Sequence, residues 1–540
     1  LFRLLVEQTQ EAILPGTGAE NYEALPHWAR VALPLFGGLL LAAMFRWGAK
    51  GLYVLGVARV MERMAYHQGY LTMRGFLLQF FGAAIAIISG HSVGREGPHI
   101  FLGAAAGSLL AQRLSLPNNT VRTLVGCGTA AGIAASFNTP LAGVIFALEV
   151  VMLDYSLASF IPVILSAVSA TLISNLVLGK EIAFLVPSME LGSLSEIILV
   201  VMLGFAAGTV SAIFIQLIQT MSGHTRNIPI WWRVLFAGLV VGLIGMLVPE
   251  VMGIGYDTVN AALLGQYSAG FLLLMVVLKL LATSTCISMG VPGGMIGPAL
   301  FIGVTLGDAI GELAMMWLPG LYTPAGFFGM LGMAAMMGAS LQAPLAALVA
   351  LIELTHNPQL IMPGMLAVVV AGLTASELFR KESLFITMLK ANGMDYRHNP
   401  VLQALRRVGV ASVMDKHFAT GNRFIGHEQA GKLLEEKPAW ILVEENGQPI
   451  ALLRAMHLVS YLESEAAIPN QDDEIDLMAI PGRHRMQLAP VNLHATLQEA
   501  LEHLDNGEGE ALYVRRMTAP GIWRIYGVLT REHVESAYKY

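Results

Sequence analysis

An all-α, multi-pass membrane protein built from an inverted internal repeat, followed by a small soluble α/β domain, is the fold class that this sequence predicts. Three observations carry the prediction. The chain of 540 residues is 55% hydrophobic and only 13% charged, with a mean hydropathy of +0.62, which is too apolar for a soluble globular protein. Two sequence elements return in the same order in two halves of the apolar region. After Leu378 the composition turns basic and then polar, with strand and turn signals.

The apolar segments come in two series. The first covers Leu33 to Phe45, Phe76 to Ser89, Thr123 to Met152 and Leu157 to Leu178. The second covers Ile197 to Ile218, Trp231 to Val248, Phe271 to Ile287, Met295 to Trp317, Phe327 to Leu354 and Ile361 to Leu378. Several fall short of the roughly 20 residues that span a bilayer, and others hold a helix pair. Many of the 56 glycines and 24 prolines lie inside them. Such segments read as tilted, interrupted helices, which membranes tolerate where irregular backbone is buried in protein or lines a cavity.

The stretch Gly94-Arg95-Glu96-Gly97-Pro98-His99 stands between two of these runs. An acid at membrane depth costs several kcal/mol if unpaired, so Glu96 is a functional candidate. Glycines at 94 and 97 permit close backbone approach, and Pro98 suits the first turn of a helix. The expected arrangement is a buried helix start whose free N–H groups face an anion, with Glu96 competing for that place. The competing reading of the hexapeptide alone is a surface loop.

The repeat decides between them. Gly97-Pro98 is followed by Gly103 and Gly107, and Gly297-Pro298 by Gly303 and Gly307. Pro140-Leu141-Ala142 leads to Glu149, and Pro344-Leu345-Ala346 to Glu353, nine residues past the proline in each case. The membrane part, residues 1–400, is thus two related halves, about 30–180 and 195–380. Repeated halves with broken helices gather half-helix ends around an ion near the membrane centre.

Arg380, Lys381, Lys390, Arg397, Arg406 and Arg407 crowd the exit from the last apolar segment, which assigns that end to the cytoplasm. Residues 401–540 read as soluble α/β. Strands at 440–443 and 450–453 flank Asn446-Gly447, a hairpin signal. Thr496 and Glu499 have the spacing of a capping box, strands follow at 511–514 and 525–529, and Thr530 can cap a closing helix.

Composition also excludes. The net charge of -6 gives no reason to expect nucleic acid. Cys127 and Cys286 lie in apolar stretches without a CxxC partner and read as packing residues, not metal ligands or a disulfide. No signal-peptide pattern opens the chain at Leu1.

With the repeat in hand, the chain resembles the CLC family of chloride channels and chloride/proton exchangers over nearly its whole length. Gly94-Arg95-Glu96-Gly97-Pro98 is similar to that family's most characteristic motif, 137–143 (FNTPLAG) to a second, and Gly293-Gly294-Met295-Ile296-Gly297-Pro298 to a third. The tail resembles the pair of CBS domains that many members carry. The resemblance implies the CLC fold, a homodimer in the cell membrane with its C-terminal domain in the cytoplasm, and chloride or a related anion as the transported ion. It implies that Glu96 is the gating glutamate, whose carboxylate takes an anion's place and swings aside when protonated. It also implies that Gly56, Val57, Arg95, Gly97, Met295 and Ile296 line the anion path. For Met295 and Ile296 only the backbone N–H groups are meant, since the side chains read as core.

Departures from the family pattern are equally specific. Its Gly-Ser-Gly-Ile-Pro motif falls at Val54-Leu55-Gly56-Val57-Ala58, so Leu55 replaces a hydroxyl donor and anion selectivity is open. Its inner tyrosine falls at Phe385, which can narrow a pore but donates no hydrogen bond. Its internal proton glutamate falls at Val150, which carries no proton. Glu149 beside it reads as structural, because Glu353 repeats it in the other half. Passive conduction is therefore expected over proton exchange, which would need water wires or another acid. In the tail, His457 and His533 stand near the places of the family's ribose-binding carboxylates, which argues against an adenine nucleotide there; no other cofactor and no metal is expected.

A membrane-embedded enzyme with CBS domains is the competing class. Zinc chemistry of that kind needs a pattern such as HExxH, which the sequence lacks, and 338–341 (GASL) stops short of a rhomboid serine motif. A cation transporter would need several converging carboxylates.

Overall fold

In a computed structural model of the chain, the described residues are 1–15, 20–48, 56–179, 184, 192, 196–317, 323–394, 400–465, 474–480, 485–519 and 521–537, the side chains of 400–403 and 465 aside. Val54, Leu55 and Arg397 lie outside them. The chain groups into two compact units, residues 1–114 with 121–396 and residues 115–120 with 397–540.

The first half of the helical unit runs α1 (Phe2–Ile13), α2 (His27–Gly48), α3 (Val57–Tyr66), α4 (Met73–Ile88), α5 (Glu96–Arg113), α6 (Asn118–Phe137), α7 (Pro140–Phe146) and α8 (Leu157–Leu178). The second half runs α9 (Ile197–Thr225), α10 (Ile230–Leu247), α11 (Tyr256–Leu263), α12 (Ala269–Ser288), α13 (Ile296–Trp317), α14 (Ala325–Leu341), α15 (Pro344–Thr355) and α16 (Ile361–Leu373), with α17 (Leu384–Ala391) closing the unit. Among the described residues seven helical stretches are long and apolar enough to cross a membrane: α2, α8, α9, α10, α12, α13 and Pro358–Leu378. This is a multi-pass membrane protein.

The two long apolar stretches expected to hold helix pairs do break, and for the same reason in each half. Asn138 (φ 58°) ends α6 two residues before Pro140, and Gln342 (φ 52°) ends α14 two residues before Pro344. A left-handed residue stops the first helix, and a proline that lacks an N–H opens the second.

The repeat is visible as bonds between equivalent residues. Gly94 and Gly294, at matching places in their motifs, exchange both backbone hydrogen bonds, at 2.8 and 2.7 Å. Glu353 accepts the amides of Leu141 (3.0 Å) and Ala142 (2.7 Å) at the start of α7. Glu149 accepts those of Leu345 (3.2 Å) and Ala346 (2.8 Å) at the start of α15. Each glutamate thus satisfies orphan N–H groups of the opposite half. Helix contact repeats too: a Cβ on Gly103 would lie 2.0 Å from the Gly128 carbonyl, and one on Gly303 2.4 Å from that of Gly332. Only glycine permits these backbones to touch.

Because each glutamate holds two amides that nothing else replaces, Glu149→Ala and Glu353→Ala are each expected to cost about 1–3 kcal/mol. Thermal unfolding in detergent checks this; the pH response of anion flux should not move with it.

The second unit carries a six-stranded sheet in the order β1 (Phe418–Asn422), β3 (Trp440–Glu445), β4 (Gln448–Arg454), β6 (Met486–Asn492), β7 (Ala511–Ala519), β8 (Ile522–Thr530), while β2 (Phe424–Ile425) pairs with β5 (Ile475–Asp476). It too is a repeat. β1 and β3 are parallel across a helix at His427–Glu435 and β3 and β4 antiparallel; β6 and β7 are parallel across a helix at Leu497–Asp505 and β7 and β8 antiparallel. The expected hairpin turns at Asn446 (φ 52°) and Gly447 (φ 74°), the pair of positive angles that a two-residue turn between twisted strands requires. The capping box forms as expected: Glu499 accepts the Thr496 amide at 3.0 Å, and Thr496 caps the helix in return.

Candidate functional site

The bond pair between Gly94 and Gly294 fixes what surrounds it, since α5 and α13 both begin within two residues of it. Gly97 lies against the same strand-like segment: a Cβ there would be 2.6 Å from Gly294 Cα. Gly56, which caps α3 with φ 76°, faces the Gly293 carbonyl, and its amide donates to Gln79 Oε1 at 2.8 Å. Val57 follows it and is buried. Three helix starts, α3, α5 and α13, thereby converge on residues 293–297.

Glu96 lies in that convergence and is 0% exposed. Its carboxylate crosses to the other half of the molecule. Oε2 accepts the Gly297 amide at 3.1 Å, in the first turn of α13. Oε1 accepts the hydroxyl of Tyr256. A negative group seated on the N-terminus of a buried helix is the geometry by which proteins hold anions. Met295 and Ile296, whose amides the resemblance assigns to a transported anion, are both buried, and the Glu96 carboxylate bonds the amide next along the chain.

Arg95 joins this cluster through Tyr256 and a second carboxylate. Its guanidinium donates to Glu7 Oε1 on α1 at 3.0 Å and lies 5.2 Å from the centre of the Tyr256 ring. Phe385, in the first turn of α17, is 2% exposed and meets Phe146 edge to face at 6.3 Å. Val150 is 6% exposed, directly after the capping Glu149.

Three residues of this cluster escape a reading of the sequence. Tyr256 opens α11, a helix of eight residues too short to register as apolar periodicity. Lys279 lies inside the span α12, fully buried, and donates to the carbonyls of Val251 (3.0 Å), Gly253 (3.0 Å) and Ile254 (3.2 Å), with the Phe301 ring 4.6 Å away. A lone lysine in an apolar run was the available signal. Glu20 accepts the amides of Gly255 (3.2 Å) and Tyr256 (3.1 Å) and so caps α11 from before α2. Burial, and then the Asp257 charge, push the Glu20 carboxyl up to about 7.

Residues 37–376 match the family model described as voltage gated chloride channel. The voltage-gated ClC-type chloride channel ClcB of Citrobacter koseri is 31% identical over 366 residues, covering 67% of this chain and 87% of the relative. The H(+)/Cl(-) exchange transporter ClcA of Vibrio cholerae serotype O1 is 34% identical over 298 residues, 53% of this chain and 63% of that relative. Among solved structures, a eukaryotic CLC transporter aligns with a TM-score of 0.60 at 19% identity, over 98% of this chain and 93% of that one.

Proposed function

The chain belongs to the voltage gated chloride channel family, and from that premise we propose that it moves chloride or a similar anion across the membrane through a pathway gated by Glu96. One observation carries the proposal: a fully buried carboxylate sits on the first turn of α13, where a negative group is favoured. Protonation removes the charge that holds it there, and an anion can then take the place. The backbone at Gly56, Val57, Gly97, Met295 and Ile296 lines the path in this proposal. Arg95 draws anions toward it, and Phe385 narrows its inner side. The protein is a transporter, and the pathway asks for no catalytic group, metal or cofactor.

Uncoupled conduction is the mode we favour. Val150 cannot relay a proton, and both oxygens of the adjacent Glu149 are engaged as a helix cap. Chloride/proton exchange through another acid is the second reading, favoured by the likeness to the Vibrio cholerae exchanger. A homodimer in the cell membrane, with the second unit in the cytoplasm, is the proposed assembly; Arg380, Lys381 and Lys390 after the last span support that orientation. The doubled strand-helix-strand-strand pattern of the second unit supports a CBS pair, and the missing ribose carboxylates support a structural role over nucleotide sensing.

Simultaneous recording of chloride and proton movement in liposomes holding the purified protein tests the mode. Chloride efflux without a fixed ratio of proton uptake is expected. Protons driven uphill by a chloride gradient at a fixed ratio would replace conduction with exchange.

A further inference from the structure

We propose that Tyr256 is the second half of the gate: its hydroxyl holds the Glu96 carboxylate while that group is seated, and remains as a donor to the anion when Glu96 leaves. The inference rests on the gating role proposed for Glu96, and adds a side chain from the opposite half of the repeat.

Among the described residues two donors reach the carboxylate, and they differ in kind. The Gly297 amide is backbone and cannot leave. The Tyr256 hydroxyl is at the end of a side chain, so its presence there has to be enforced. It is enforced from several directions. Glu20 caps the amides of Gly255 and Tyr256. Lys279 gathers the carbonyls of Val251, Gly253 and Ile254, which fixes the loop leading into α11. The ring is met by Phe184 at 5.4 Å and Phe137 at 6.2 Å, and the Arg95 guanidinium covers it. With backbone and ring both constrained, the hydroxyl acts as a preorganised donor, which loses little freedom when an anion arrives.

The same geometry accounts for a deficit. In the sequence, Leu55, which lies outside the described residues, and Phe385 fall where the resemblance implies hydroxyls, and neither side chain carries one. Tyr256 places a hydroxyl beside the first turn of α13 from another element. Once the carboxylate is gone, that hydroxyl and the Gly297 N–H are two convergent donors, which an anion satisfies and a cation does not. A cavity of about 280 Å3, lined in part by Glu7, Glu20, Arg95, Tyr256, Asp257 and Asn260, brings solvent-sized space up to the tyrosine.

The charged and titratable groups around the pair come from several elements: Arg95 and His99 on and before the first turn of α5, Glu20 before α2, Asp257 on α11, Lys279 on α12, and Glu7 and Arg3 of α1 through Arg95 and His99. A pH profile is therefore read against a Glu96 variant, in which all the other titratable groups remain.

Chloride efflux from liposomes holding the full chain is measured between about pH 4.5 and 8 for wild type, Tyr256→Phe and Glu96→Gln. Phenylalanine keeps the ring and loses the donor. Tyr256→Phe is expected to raise flux at neutral pH about tenfold, the net worth of one charge-assisted hydrogen bond, and to move the half-maximal point up by about one pH unit. Chloride titrated calorimetrically should bind Glu96→Ala about tenfold more tightly than Glu96→Ala/Tyr256→Phe. Incorporation of 3-fluorotyrosine at 256, a stronger donor of nearly the same shape, should move the half-maximal point down and stands as the test should Tyr256→Phe not fold. A wild-type profile in Tyr256→Phe beside a flat Glu96→Gln overturns the role of the tyrosine and leaves the gate intact. A wild-type profile in Glu96→Gln overturns the gate itself. A Tyr256→Phe protein that is less stable and slower, with an unmoved profile, reduces the tyrosine to packing and also overturns the proposal.

Discussion

Glu96→Gln is expected to abolish the pH response of anion flux, and Glu96→Ala to do the same with flux at neutral pH raised by about tenfold or more. The carboxylate is wholly buried and occupies the donors of the α13 N-terminus and of Tyr256. In its charged form it is held by hydrogen bonds each worth about 1.5–3 kcal/mol net. Neutralised, it keeps only the weaker, uncharged bonds, which an anion can displace. Glutamine fixes the neutral state at all pH, and alanine empties the place. Efflux from liposomes across the acid-to-neutral range is the measurement. A Glu96→Gln protein that still accelerates on acidification, by the same factor as wild type, would remove the gating role.

Lys279→Met is expected to prevent accumulation of folded protein. Two effects oppose each other here. Removing a buried charge and filling its volume with an apolar chain is often neutral or stabilising. That gain fails when partners are left behind, and Lys279 leaves three. The carbonyls of Val251, Gly253 and Ile254 would each lose a donor, with each unmet group costing about 1–3 kcal/mol, so about 3–9 kcal/mol together. The loss is comparable with the whole stability of an ordinary domain, about 5–15 kcal/mol. Size-exclusion profiles in detergent report the outcome, and Lys279→Arg, which keeps a charge and several donors, should recover part of the peak. A Lys279→Met protein that elutes and melts as wild type does would show that the loop before Tyr256 is held by something else.

The membrane halves were legible because their signals are local and doubled. Pro140 and Pro344 each open a helix, where the N–H that proline lacks would be unpaired anyway, and Asn446-Gly447 turns the chain through residues that accept positive φ. Glu149 and Glu353 could be matched to each other by spacing, which suggested a structural purpose; that each caps the helix start belonging to the other half is visible only in three dimensions. Arg95 shows the opposite limit. Its place beside Glu96 in sequence suggested direct pairing of the two; the guanidinium instead bonds Glu7 and lies over the Tyr256 ring, so it reaches the Glu96 cluster through another residue.

Tyr256 and Lys279 were hidden for a different reason. Neither belongs to a recurring motif; the partner of Tyr256 lies in the other half of the chain, and those of Lys279 are backbone carbonyls before the preceding helix. A tyrosine beside a short helix and a single lysine in an apolar run carry no information about which group they will meet.

The amino-acid order by itself determined the class of this protein, since hydropathy, helix-breaking prolines and a repeated glycine pattern act over a few turns of chain and need no partner to be read. Tertiary structure alone decided which donors close on the acid. Hydrogen bonds form between atoms a few ångströms apart, and that proximity exists where Gly94 pairs with Gly294 and brings the starts of α5 and α13 together.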